Sequence, residues 1–299
     1  MTKVAVVTGS NKGIGFAIVK GLLKRFDGIV YLTSRDEERG KAAVAELNAL
    51  GLKPEFHQLD VIDKSSIIKF RDHIKAKHGG IDILVNNAAV LSSALFNSYQ
   101  ESKYIVSVNY FSILTIQELL YPLVRDNGRI LNISSDCGHL SNVRNEHWIK
   151  KLSSKDLTVN DVNDFVNWFL EEKDDGTFAN DNLADGGTLP AYRVAKVALS
   201  AVTRLQQKEL ASRNIAVNSM HPGLVQTDMT LGLGFFDIDQ AAETPLYLVL
   251  DAPQSLKGEY VWYDRKVLDW CDATADYYFK AKTLPSFSVI KSFNPDFDM

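Results

Sequence analysis

Only two cysteines, Cys137 and Cys271, occur in 299 residues. Two thiols cannot build the disulfide framework of a small secreted fold, and they suit a reducing compartment. No run of 18 apolar residues is present, so no segment reads as a membrane helix. No charged-then-apolar leader precedes Val4, and the expected location is the cytoplasm. An excess of one charge is also missing. Lys and Arg total 33 against 37 Asp and Glu, a net of −4 scattered along the chain. Neither nucleic acid nor an anionic membrane is an expected partner. The six histidines, His57, His73, His78, His139, His147 and His221, show no metal-ligand spacing such as His-Glu-x-x-His, so no metal is expected. A serine hydrolase is excluded by the lack of a Gly-x-Ser-x-Gly elbow. No repeat and no interdomain linker stands out. What is present is 45% apolar residues, enough for a substantial core.

Strand and helix signals alternate, which predicts an α/β fold with a doubly wound parallel sheet. Strands are expected over Val4–Val7, Ile29–Thr33, Glu55–Leu59, Ile83–Val85, Arg129–Ile133, Ala216–Met220 and Glu259–Trp262. Helices are expected over Gly15–Arg25, Glu37–Leu50, Lys64–Lys77, Lys103–Val124 and Ala191–Ala211. Asn132-Ile133-Ser134 fits a glycosylation sequon but falls on a buried strand and is discounted.

Four features carry chemistry. Thr8-Gly9-Ser10-Asn11-Lys12-Gly13-Ile14-Gly15 links the first strand to the first helix. Strand, glycine-rich turn and helix N-terminus form the setting in which backbone N–H groups hold a dinucleotide pyrophosphate. An ordinary βα turn is the plain alternative. Asn86-Asn87 ends another strand and suits closing a cofactor pocket, or forms a turn. Ser135 follows the strand Arg129–Ile133, at the sheet edge where ligands bind, and its hydroxyl could hold a carbonyl oxygen or cap the next segment. Tyr192 and Lys196, four apart, share a helix face. A lysine ammonium there would lower the phenol's pKa and make it a usable proton donor. At the end of the second strand an acid would bind the ribose of NAD(H), but Ser34 stands there, followed by Arg35. Lys12, Arg35 and Arg39 are expected to converge on a 2′-phosphate, with Asp36 beyond reach of the ribose, which favours NADPH.

Together the Thr8–Gly15 loop, Asp60, Asn86-Asn87-Ala88, Asn109, Ser135, Tyr192/Lys196 and Pro222-Gly223 resemble the short-chain dehydrogenase/reductase family, from about Val4 to Trp270. One departure is Ala89, where the family usually has glycine. Within the family, Phe56–Asp60, Gly79–Asp82 and Ala242–Pro245 look like the monomeric carbonyl reductases, with plant reductases of the salutaridine/menthone type as neighbours. The resemblance implies a single Rossmann-type domain over 1–299. It implies Ser135, Tyr192 and Lys196 as catalytic residues and Asn109 as a residue positioning Lys196 through a water. It further implies cofactor contacts at Gly9, Asn11, Lys12, Gly13, Ile14, Gly15, Arg35, Arg39, Asp60, Val61, Asn87, Ala88, Tyr192, Lys196, Pro222, Gly223, Val225 and Thr227. The implied activity is NADPH-dependent reduction of a small-molecule ketone, aldehyde or quinone. A nucleotide-binding regulatory protein without turnover is the alternative.

Tyr192 lies 57 positions after Ser135, a longer gap than the family usually has, so residues 140–190 read as an insertion. Thr158–Leu170 within it has amphipathic spacing, with Phe165, Trp168 and Phe169 as docking contacts. The insert is expected to cover the helix face that relatives use for pairing, which predicts a monomer; a surface elaboration is the plain alternative. A C-terminal extension, 271–299, carries Tyr277-Tyr278-Phe279 and Phe287–Phe293, too aromatic for a simple disordered end and expected to pack on the domain. His139 is left as pocket-lining or at the surface, and His221 and Cys137 as pocket-lining or structural.

Overall fold

β1 (Val4–Val7) is buried at every residue and lies between two parallel partners, β2 (Ile29–Ser34) and β4 (Ile81–Asn86). A strand covered on both faces needs an unbroken apolar run, which Val4-Ala5-Val6-Val7 supplies. The computed structural model describes residues 2–92 and 96–275. The other strands are β3 (Glu55–Gln58), β5 (Val124–Ile133), β6 (Ala216–Met220), β7 (Tyr260–Val261) and β8 (Val267–Leu268). Among the described residues they form one sheet in the order β3-β2-β1-β4-β5-β6-β7-β8. Only the β7–β8 pair is antiparallel. The order reverses between β1 and β4, so the ligand crevice lies beyond their carboxyl ends. This is the expected doubly wound sheet, in a single domain.

α1 (Gly13–Arg25), α2 (Glu37–Ala49) and α9 (Ile238–Leu246) cover one face through Phe16, Val19, Leu47 and Leu246. α3 (Lys64–His78) and α5 (Ser112–Leu120) cover the other through Phe70, Ile74 and Ile116. The helix expected over 103–124 is present from Tyr99 to Leu120, with a π-helical turn at Ser107–Phe111 between α4 (Tyr99–Val106) and α5. Pro122 has no amide hydrogen and ends the helix in a short 3₁₀ turn, after which β5 begins.

The 140–190 segment holds two helices where the spacing predicts one, α6 (Glu146–Leu152) and α7 (Val159–Asp174). Thr158 and Asp161 form a capping box that starts α7. Val162, Phe165, Val166 and Phe169, spaced along one helical face, are fully buried in a cluster with α4 and α8 (Pro190–Leu210). The neck of the segment is clamped by an antiparallel bridge, Val143–Leu183. There Arg144 N–H donates to Asn182 O at 2.8 Å and Ala184 N–H to Asn142 O at 2.9 Å. β8 has no expected counterpart; at two residues it is too short to show alternation. The aromatic stretches Tyr277–Phe279 and Phe287–Phe293 lie outside the described residues.

Candidate active site

Two glycines of the first loop have no room for a side chain. A Cβ on Gly9, whose φ is +59°, would lie 2.8 Å from Ala88 Cα, and one on Gly15 would lie 2.4 Å from Asn87 Nδ2. The loop is laced to the end of β4. Thr8 Oγ1 accepts from the Asn87 and Ala88 amides, each at 3.0 Å, and Asn87 Nδ2 donates to Thr8 O at 2.9 Å and Gly9 O at 3.0 Å. Only one of the two amides serves the loop. Asn86 turns inward, donating to Asn132 Oδ1 at 2.8 Å in a core network. Ala89 is not among the residues with left-handed backbone, so its methyl group costs nothing there. Ile14 packs on the α1 core, while Asn11 stays half-buried in the loop. α1 begins without a capping side chain and without an acid in its first turn. Its open N–H groups and dipole therefore fit an anion.

Lys12, Arg35 and Arg39 are each engaged with a separate partner. Lys12 Nζ pairs with Asp228 at 2.7 Å, Arg35 donates to Tyr104 OH at 2.7 Å, and Arg39 pairs with Asp36 at 3.2 Å. Asp36 is the N-cap of α2 and accepts the Arg39 amide at 2.9 Å. The acid beside β2 is thereby occupied in capping, and Ser34 ends the strand. Asp60 Oδ1 accepts the Ile62 amide at 3.1 Å, closing the turn after β3, and Val61 is buried in the core against α3. Beyond β6 the buried Pro222 leads into Gly223, at φ +87°, where a Cβ would meet the Phe236 ring at 2.8 Å. Val225 bridges Phe236, and Thr227 Cγ2 stands 3.6 Å from the Cβ position of Gly13. The β6 loop thus closes over the glycine loop.

Ser135 leaves β5 and caps a short turn, its Oγ accepting the Cys137 amide at 3.3 Å. α8 is entered through Leu189 in left-handed backbone, with Pro190 in the first turn. Its first turns bring the Tyr192 phenol near enough to the Ser135 hydroxyl for the serine to pull the phenol's pKa down. Lys196 Nζ sits 5.6 Å from the Tyr192 ring centre and donates to Ile133 O at 2.7 Å. Burial, then Cys137, push the Tyr192 phenol above its ordinary value, against the pull of the Ser135 hydrogen bond. Burial also pushes Lys196 down to about 7. The expected lysine-lowered phenol is therefore not what the structure has. Desolvation acts on both groups, and a partly discharged ammonium exerts little pull. Asn109 lies in the π-helical turn, its amide held by Val90 N and O at 2.9 and 2.8 Å.

A sequence model of the family described as short chain dehydrogenase matches residues 3–149 and 183–234, leaving out α7 and the end of α6. The chain belongs to this family. Carbonyl reductase (NADPH) 3 of Mus musculus is 37% identical over 281 residues, covering 90% of this chain and 99% of that protein. Carbonyl reductase (NADPH) 1 of Sus scrofa is 36% identical over 279 residues, covering 90% and 94%. Among solved structures, salutaridine reductase from Papaver somniferum has a TM-score of 0.78 at 30% identity, covering 88% of this chain and 99% of that one.

Several residues around the serine turn carry no signal in the sequence motifs. Tyr260 OH donates to Ser135 O at 2.5 Å, and Trp270 Nε1 donates to Gly138 O at 2.7 Å. Buried Arg193, between Tyr192 and Lys196, holds Asn142, Thr188 O at 2.7 Å and Asp185 at 2.6 Å, fastening both ends of the 140–190 segment to α8. Asp136 directly follows the candidate serine in sequence and accepts its hydroxyl at 2.7 Å. Cys137 is buried and its thiol pushed up to about 12, which makes it inert. His221 accepts the Asp136 amide at 2.8 Å and stacks near Trp262.

His139 is fully buried, not at the surface. Its Nδ1 accepts the Ser141 amide at 3.2 Å, and its Nε2 faces Asp269 O at 2.9 Å. Those partners fit the neutral ring with hydrogen on Nε2. Burial lowers its pKa. In the unfolded chain it charges near its ordinary value of about 6.5. Its contribution to stability is therefore present above that pH and is lost as pH falls toward the folded value. The slope is expected to reach up to about 1.4 kcal/mol per pH unit. Urea unfolding across mildly acidic pH, compared between wild type and His139→Gln, checks this; equal slopes would refute it.

Proposed function

We propose that the protein is an NADPH-dependent carbonyl reductase of the cytoplasm, acting on ketones, aldehydes or quinones. The observation that carries this reading is the meeting of Ser135, Tyr192 and Lys196 beside a side-chain-free glycine loop at the carboxyl edge of the sheet. Similarity to the mammalian carbonyl reductases supports the cofactor and the reaction class. NADPH fits this chain on the chain's own terms: an uncapped α1 N-terminus for the pyrophosphate, and an acid at β2 already engaged in capping. Bound NADPH supplies the hydride that reaches the carbonyl carbon. Ser135 holds the carbonyl oxygen, and Tyr192 donates its phenolic proton to it. Lys196 steadies the phenolate left behind, which regains its proton from solvent, and Lys196 also holds the nicotinamide ribose. Asn109 supports Lys196 from the π-helical turn. Gly9, Asn11, Gly13, Ile14, Gly15, Asn87 and Ala88 line the pyrophosphate and adenosine side with Asp60 and Val61. Pro222, Gly223, Val225 and Thr227 close the nicotinamide side. Because a general acid must be protonated to act, a phenol raised by burial serves reduction. NADPH oxidation over a panel of quinones, ketones and aldehydes tests the reading. Tight NADPH binding without turnover of any of them would favour a nucleotide-binding protein that has lost catalysis. A narrower ketone reductase remains as second reading, favoured by the structural likeness to salutaridine reductase.

Arg35 is the residue proposed to read the 2′-phosphate, since among the described residues its guanidinium is hydrogen-bonded to Tyr104 and an exposed phenol is readily exchanged for a phosphate. Arg35→Ala is expected to weaken NADPH binding about ten- to a hundredfold and leave NADH little changed. Equal losses for both cofactors would refute the assignment. We also propose a monomer, supported by α7 lying on α8, the face that many relatives pair through. Light scattering during size exclusion should give one chain mass, 33.4 kDa, across a dilution series. A mass twice that would refute it. Free Cys137 and Cys271 support the cytoplasmic placement.

A further inference from the structure

Ser135 and Tyr192 come from separate elements, one leaving β5 and the other entering α8. α8 begins at Leu189, in left-handed backbone, without a capping side chain. Arg193, the residue after Tyr192, folds back over this bare end. Its Nε donates to Thr188 O at 2.7 Å, and its terminal nitrogens donate to Asp185 Oδ2 at 2.6 Å and to Asn142 Oδ1. Asn142 carries the contact onward. Its Nδ2 donates to Asp136 O at 2.8 Å and to His139 O at 3.0 Å, carbonyls of the short turns that follow Ser135. With two carbonyls on the nitrogen end of the amide, its oxygen end needs a donor, and Arg193 is that donor. Both side chains are buried. An unbroken line of hydrogen bonds thus runs from the residue beside Tyr192 to the backbone beside Ser135.

The ends of the 140–190 segment meet on this line. Asn142 O accepts the Ala184 amide at 2.9 Å. Asp185, Gly186 and Gly187 follow in left-handed backbone, at φ +54°, +64° and +72°. A residue with a side chain keeps that conformation only where its surroundings hold it, and the ion pair from Asp185 to Arg193 is such a hold. We propose that Arg193 is a positioning residue: through Asn142 it keeps the serine turn and the first turn of α8 in register, so that Ser135 and Tyr192 address the same carbonyl oxygen. The inference rests on the functional reading given above.

The other ties between these parts act elsewhere. Lys196 donates to Ile133 O at 2.7 Å, and Ser200 shares a hydrogen bond with Ser134 at 2.8 Å. They fix α8 to the end of β5 from the second turn of the helix onward. The first turn, where Tyr192 stands, is left to Arg193. Its planar fork serves three acceptors at once, which the single ammonium of a lysine at the end of a flexible stem does not do.

Arg193→Gln and Asn142→Asp each cut the line at one point. Asn142→Asp still accepts from Arg193 but offers no N–H to the two turn carbonyls. Because a shift of about 1 Å in a reacting group can cost about a hundredfold, each variant should lose about ten- to a hundredfold in kcat. NADPH affinity should stay near wild type. The double variant should be no slower than the slower single one, since both changes cut one line. Arg193→Lys keeps a charge beside Asp185, guards against misfolding, and should also lose rate. Rates are referred to the number of NADPH-binding sites, so a loss of folded protein does not count. Wild-type kcat per site in all these variants overturns the proposal. A second readout needs no substrate. In cofactor-free Arg193→Gln, hydrogen exchange should quicken at the Gly138 and His139 amides, which close the serine turn on Ser135 O and Asp136 O. A merely structural role would quicken exchange at the 184–189 neck alone, and that result also overturns the proposal. Failure of the wild type to reduce any carbonyl overturns the functional reading instead, while hydrogen exchange still judges Arg193.

Discussion

Tyr192→Phe is expected to lower carbonyl reduction by about two to four orders of magnitude, the usual contribution of a positioned general acid. NADPH binding should survive. Phenylalanine keeps the ring that lies 5.6 Å from Lys196 Nζ and removes only the hydroxyl. The loss should fall on kcat, because the proton is needed as negative charge develops on the oxygen and not in binding the ground state. Lys196, pushed down to about 7 by burial, gains charge most readily when the phenolate appears beside it, so its stabilising effect is greatest at that moment. Steady-state kinetics together with a fluorescence titration of NADPH checks both halves. Turnover above about a tenth of wild type would show that the proton comes from another group.

The sheet was legible because its strands announce themselves in two ways. Val4–Val7 and Ala216–Met220 are short apolar or mixed runs buried on both faces, bounded by turn residues, and the observed strands have those limits. Motif residues were legible where local geometry dictates residue type: at Gly9 and Gly15 a side chain would collide with Ala88 or Asn87. What escaped depends on distant contacts. The π-helical turn between α4 and α5 carries Asn109, whose amide is bonded to the Val90 backbone, a partner 19 residues away. Tyr260 and Trp270 clamp the serine turn from more than a hundred residues downstream, and no local pattern marks them. The phenol's pKa depends on distant structure for a related reason. Spacing along a helix shows that a lysine is near, but the burial that moves both groups is set by the whole fold.

Phe165→Ala should be the most damaging change away from the cleft, costing about 3–5 kcal/mol. The ring is fully buried on the apolar face of α7, with Trp148 edge-on at 5.4 Å and Trp168 stacked at 6.0 Å. Truncation removes the buried surface and leaves a hole that two aromatic neighbours cannot easily fill, since both are held by their own helices. Against a typical net stability of about 5–15 kcal/mol, the loss is a large fraction of the total. Its reach extends past the segment itself. α7 lies on α8, which carries Tyr192 and Lys196, and Arg193 on the same helix holds Asn142 and Asp185 at the two ends of the segment. Loosening α7 therefore strips cover from the helix that orders the site, and urea unfolding should show a lower midpoint for the variant. A change below about 1 kcal/mol would mean that the segment only rests on α8, and that the helix's order comes from the sheet beneath it.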